Sequence, residues 1–200
     1  MDKFLGKYRI PSIRAYWWDY SRLGAYFVTI DTKSGKWLFG NVVNGEMQLS
    51  EIGEIAYKCW QAIPQHFSFV ELGAFVVMPN HVHGIIIISN KPSEDLSPKD
   101  TPPETLHATS LNYATSQVRI VPENKNIQMA AISPKSGSLG SVIRSYKSAV
   151  SHDARKIDKN FAWQDRYFDS IIFGQFAYTR ISSYILNNPS KWDKSMDFHI

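Results

Sequence analysis

One cysteine in 200 residues, Cys59, leaves no partner for an internal disulfide and rules out a multi-cysteine zinc site. Such scarcity suits a reducing compartment, and Cys59 itself reads as a small core residue. The chain also lacks an uninterrupted apolar run of about 18 residues, the length a membrane-spanning helix needs. Its opening stretch, MDKFLGKYRIPSIR, has no apolar centre of the kind a signal peptide carries. These absences predict a soluble, cytoplasmic protein with no membrane partner. Nor does one sign of charge dominate: 22 Lys and Arg stand against 18 Asp and Glu, a net +4 with a pI near 9.1. That excess admits nucleic acid as a partner without demanding it. From Asn90 to Gly137 core-forming residues run out, as Pro92, Pro98, Pro102, Pro103, Pro122 and Pro134 punctuate a Ser/Thr/Asn-rich stretch whose lone aromatic is Tyr113. A segment of this kind buries too little apolar surface to offset the entropy of ordering it. It is expected to be a flexible insertion, 90–137, within a single domain spanning 1–200.

What is present elsewhere is ample: 44% apolar residues, enough for an ordinary core, and 14% aromatics. The N-terminal arm, residues 3–22, interleaves Lys3, Lys7, Arg9, Arg14 and Arg22 with Tyr8, Tyr16, Trp17, Trp18 and Tyr20. Cations meet phosphates and flat rings stack on unpaired bases, so the arm reads as a single-strand binding element or as aromatics packed on the domain. Ala25 to Thr32 and Lys36 to Val43 read as a hairpin about Lys33-Ser34-Gly35, with a further turn at Asn44-Gly45. Ser50 caps a helix whose Ile52, Ile55, Ala56, Cys59, Trp60 and Ile63 recur at helical spacing, and Pro64 is its stop. Glu54 and Lys58 form an exposed pair one turn apart.

The stretch ELGAFVVMPNHVHGIIIIS, Glu71 to Ser89, reads as two apolar strands joined at Met78-Pro79-Asn80, with the second in a central sheet position. Side chains alternate along a strand, so His81 and His83 leave on one face and Val82 on the other. Ile85 and Ile87 continue the histidine face into core. Such a pair can hold one divalent metal, or can be two hydrogen-bonded imidazoles of a half-buried strand.

Beyond the insertion, GSLGSVIRSYKSAVSHDARK is a helix with Leu139, Val142, Ile143, Tyr146 and Val150 inward and Arg144, Lys147, Arg155 and Lys156 on other faces. That basic run is either a solvated face or, facing a metal cleft, a phosphate track through Arg144 and Lys147. Phe161 and Trp163 read as core, and Ser170 to Phe173 as a short strand. In the last helix Ala177, Ile181, Ile185 and Asn188 fall on one stripe, with Tyr184 at its edge. Tyr184 and Asn188 are neighbours one turn apart, and Pro189 places them in the last turn. By spacing they are a packed tyrosine and a helix C-cap. Beside a metal held by His81 and His83 they are instead a nucleophile for phosphodiester cleavage and a carboxamide third ligand, a donor set that suits Mg²⁺ or Mn²⁺.

The motifs MPNHVHGIIII, WQDRYFD and YILNNPSKW, taken in this order, resemble the single-tyrosine transposases with a His-hydrophobic-His motif, most closely the REP-associated tyrosine transposases. KYRIPSIRAYWWDYSRLGAYFVTI resembles that family's N-terminal segment. The resemblance implies an α+β fold, a ferredoxin-like or RRM-like antiparallel sheet with helices on one face. It implies His81, His83 and Asn188 as the metal site and Tyr184 as the nucleophile of a single-strand DNA endonuclease and strand transferase. Its substrates would be palindromic repeats folded as hairpins, with Arg9, Arg14, Arg144 and Lys147 as DNA contacts. Phe168 departs from the pattern, standing where many members carry a histidine; if that histidine assists proton transfer, this chain lacks the assistance. A catalytically weak repeat-binding relative and a rolling-circle-type nickase are the alternatives. Whether Tyr184 serves its own histidine pair or that of a second subunit in a homodimer is left open.

Overall fold

A computed structural model of the chain describes residues 17–89 and 134–192, with the backbone of 3–4 and 7–8. Arg9 and Arg14, and nearly all of the 90–137 insertion, lie outside the described residues. The two backbone segments, β1 (Lys3–Phe4) and β2 (Lys7–Tyr8), pair antiparallel.

The core is set by strands whose two faces are both apolar. In β3 (Gly24–Asp31) Tyr26, Val28 and Ile30 are fully buried on one side while Ala25 and Phe27 pack on the other. A strand of that kind needs neighbours on both edges. It finds them in β7 (His81–Ile88) and β8 (Phe168–Ile172), both antiparallel to it, and β6 (Val70–Val77) completes a four-stranded sheet of order β6-β7-β3-β8. The expected hairpin between 25–32 and 36–43 therefore does not form. Residues 33–35 make a single 3-10 turn, and β4 (Gly40–Val43) pairs instead with β5 (Glu46–Leu49) across the Asn44-Gly45 turn.

Helix α1 (Glu51–Gln61) begins where Ser50 Oγ accepts the Gly53 N–H at 3.1 Å, and Glu54 and Lys58 lie 3.7 Å apart on its outer face. Pro64 does not end this helix: α1 stops at Gln61, and Pro64 sits in the first turn of the short α2 (Ile63–His66), where its missing N–H costs nothing. Helix α3 (Leu139–Ile157) buries Leu139, Val142, Ile143, Tyr146 and Val150, as its periodicity requires. Phe161 and Trp163 are buried beside it. With α1 and α3 laid across one sheet face, the order β3-α1-β6-β7-α3-β8 is a ferredoxin-like unit.

Helix α4 (Gly174–Leu186) departs from the one-face expectation. Its Ala177, Tyr178, Ile181 and Ile185 pack on Ile85, Ile87 and Ile172, on the sheet face opposite α1 and α3. Two apolar faces on the sheet leave a second surface to cover, and α4 covers it. The close approach uses Gly73, at an irregularity in the β6–β7 ladder between Leu72 and Phe75, where a Cβ would lie 2.7 Å from the Tyr178 hydroxyl. No helix among the described residues is long and apolar enough to cross a membrane.

Candidate active site

His81 and His83 open β7 on the face that α4 covers, their partners across the ladder in β3 being Asp31 and Thr29. The imidazoles converge, with the two Nε2 atoms 3.0 Å apart. Each ring is held from behind by its Nδ1. Asn80 Oδ1 lies 2.6 Å from that of His81, and Thr29 Oγ1 lies 2.8 Å from that of His83. A side-chain oxygen that accepts the Nδ1 proton leaves Nε2 as the lone-pair donor, which is how outer partners orient metal-ligating histidines. Two cis ligands each about 2.1 Å from one ion lie about 3.0 Å apart, so the spacing fits a shared divalent cation. His83 is 6% exposed. Burial pulls the His81 pKa down to about 4, and burial followed by the neighbouring His81 pulls His83 down to about 3. Both rings are neutral, as ligands must be, at any pH near 7.

Tyr184 reaches this pair from α4. Ile185, fully buried against Ile85 and Ile172, pins the helix turn, and the preceding Tyr184 leans over β7 with its hydroxyl 3.5 Å from His83 Nε2. Its ring centroid lies 5.5 Å from that of His83 and 6.2 Å from that of Phe27, and the residue is 49% exposed. The phenol is thus held from one side and open on the other. Histidines and tyrosine come from the same chain, so no second subunit is required to bring them together. Asn188 follows the helix with φ −61 and ψ −44, helical angles that the preference of a residue before proline opposes. It begins a 3-10 turn, Pro189–Lys191, that carries Trp192 to within 5.8 Å of the His81 ring. Among the described residues no three His, Cys, Asp or Glu side chains group as a metal site. A further ligand from the described residues is therefore of another type, such as a carboxamide.

Of the other sequence candidates, Arg144 is exposed on α3, on the sheet face away from the histidines, so the basic run of α3 does not face the histidine cleft. Lys147 extends to the end of the sheet, where its Nζ donates to Gln164 O at 2.6 Å and Gln164 N–H in turn donates to Asp31 O, opposite His81. There it lines an open cavity of about 620 Å³ with Lys33, His152, Arg155 and Gln164. Burial lowers its pKa, partly offset by Asp165 and Asp31. Sequence reasoning missed Thr29 and Asn80. Asn80 was visible as a turn residue next to His81, and Thr29 sits on the histidine-facing alternation of β3, but the register that joins Thr29 to His83 has no local signal.

No protein-family model matches the chain. An uncharacterized protein of Haemophilus influenzae is 36% identical over 185 residues, 92% of this chain and 89% of that protein. The chain belongs to that protein's family. A solved structure of a REP-associated tyrosine transposase bound to a REP hairpin shares the architecture, with a TM-score of 0.51 at 17% identity over 91% of this chain and 74% of that one. At that identity the likeness establishes the fold, and for this member of the family it agrees with the α+β, ferredoxin-like architecture that the sequence motifs imply.

Proposed function

We propose that the protein is a metal-dependent single-strand DNA endonuclease and strand transferase that acts on hairpins formed by palindromic repeats. The observation that carries this reading is Tyr184, a half-exposed residue whose hydroxyl lies 3.5 Å from an imidazole of a convergent histidine pair. A phenol beside two neutral, pre-oriented imidazoles is a nucleophile beside a cation site. The solved transposase of the same fold, which is bound to a REP hairpin, supports the substrate class.

In this reading His81, His83 and the Asn188 carboxamide oxygen would hold Mg²⁺ or Mn²⁺, which would supply Lewis-acid stabilisation of the charge that develops on the phosphate and the leaving oxygen. Tyr184 Oη attacks phosphorus, its P–O bond forming as the P–O3′ bond breaks. The phenolic proton leaves on the exposed side of the ring, and the departing 3′ oxygen takes up a proton. The product is a 5′-phosphotyrosine that keeps the energy of the phosphodiester, so a 3′ hydroxyl can reverse the attack without ATP. Outside the histidine cleft, on the α3 side of the sheet, Arg144 and Lys147 are the contacts for the duplex stem, and Arg9 and Arg14 those for the single strand at its foot.

The test is cleavage of labelled hairpin oligonucleotides from the repeats flanking the gene, with Mn²⁺ or Mg²⁺. A covalent protein–DNA adduct that needs the metal and is lost in Tyr184→Phe and His81→Ala is expected. Tight hairpin binding by the wild type with no adduct overturns the enzymatic reading in favour of a repeat-binding module.

A further inference from the structure

The sheet face that carries the histidine pair does not end at β3. It continues to β8, which is the edge strand of this sheet among the described residues. Phe168 opens β8 directly opposite Thr29, the residue that holds His83, so its side chain leaves on the histidine face. The ring is 48% exposed and its centroid lies 6.3 Å from that of Phe27. Phe27 is the inner ring of the group, partly buried, 5.4 Å from His83 and 6.2 Å from Tyr184. Phe168 is the outer one, and it packs into neither apolar cluster. A half-bare aromatic side chain on an edge strand is a liability that edges ordinarily avoid with charge. Here it and Tyr184 each pack on the Phe27 ring.

We propose that Phe168 is a stacking platform for one unpaired base adjacent to the phosphate that Tyr184 attacks. The inference rests on the reading of this site as a single-strand DNA centre and names the contact that positions the strand. Every base has a π-face, so stacking holds a nucleotide in place with little preference for which base it is. The phenyl ring can neither donate nor accept a proton. Its contribution is therefore to binding and registration of the strand over Tyr184, and the effect of losing it falls on KM more than on kcat.

The experiment uses the full chain carrying Tyr184→Phe, so that binding is read without cleavage, and hairpin oligonucleotides with a single-stranded extension in which 2-aminopurine is moved one position at a time. The expected result is a change in emission confined to one position of the extension, abolished by Phe168→Ala, kept by Phe168→Tyr, and accompanied in Phe168→Ala by about tenfold weaker binding. In the Tyr184 background, Phe168→Ala should raise KM by a similar factor. Adduct formation by the wild type, with emission and affinity the same in Phe168→Ala at every position, overturns the stacking role and leaves the cleavage reading intact. A Phe168-dependent emission change without an adduct from the wild type upholds stacking and overturns cleavage.

Discussion

Gly84 lies between His83 and Ile85, and its missing side chain is what lets Trp60 lie against the strand that carries the histidines. A Cβ at this position would stand 2.6 Å from Trp60 Cη2 and 3.0 Å from Cε2, with Cζ2 nearer still. Carbon atoms rest about 3.5–4.0 Å apart, so Gly84→Ala forces the indole or the strand to move by about an ångström. The indole cannot move cheaply. It is fully buried, stacked on Phe75 at 4.4 Å and 5°, and set edge-on to Tyr146 at 5.3 Å. Overpacking of a well-filled core costs about 1–3 kcal/mol, and this site belongs at the upper end. The smaller conformational freedom of alanine in the unfolded chain returns somewhat under 1 kcal/mol. A net loss of about 2 kcal/mol should lower the midpoint of thermal unfolding by roughly 4–8 °C for a domain of this size. Circular dichroism on wild type, Gly84→Ala, Trp60→Leu and the double variant measures it. Because leucine vacates the space the methyl needs, the double variant should be less destabilised than the two single losses predict, by about 1 kcal/mol or more. A midpoint for Gly84→Ala within 1 °C of wild type, or strict additivity in the cycle, would refute the packing argument.

Thr29→Val keeps the shape of β3 but removes the oxygen behind His83, and Asn80→Ala does the same for His81. Each should weaken Mn²⁺ binding by about 10- to 100-fold, read by calorimetry, with the unfolding midpoint little changed; unaltered affinity would show that the rings are oriented by packing alone. The two depressed histidine pKa values have a consequence for acid stability. Unfolded, both rings titrate near 6.5, whereas folded they resist protons down to about 4 and about 3. Between those limits the unfolded chain binds more protons, so stability is fully present above about pH 7, falls as pH drops below 6.5, and reaches its floor below about pH 3. Urea midpoints of the metal-free protein between pH 7.5 and 4.5 should therefore fall more steeply for wild type than for a His81→Gln/His83→Gln variant, and parallel curves would contradict it.

Local patterns were legible because their causes are local. Strand alternation placed His81 and His83 on one face, Ser50 and the spacing from Ile52 to Trp60 defined α1, and the stripe Ala177, Ile181 and Ile185 described the buried side of α4. Each is a relation between residues two to four apart, which backbone geometry imposes wherever the chain goes. The motif order also pointed to the fold. Tertiary structure decided the rest. Nothing near Ala25 to Thr32 showed that it pairs with β7 and β8, and not with 36–43, since that choice is made by burying both of its faces at once. Which sheet face α4 would take was equally invisible, because an apolar stripe specifies that it must be covered and not by what. The candidate site depends on these long-range choices: Thr29 meets His83 across 54 residues and Tyr184 meets it across 101. The sequence by itself determined which side chains could do the chemistry, and the packing of α4 on the histidine face of the sheet determined that they meet.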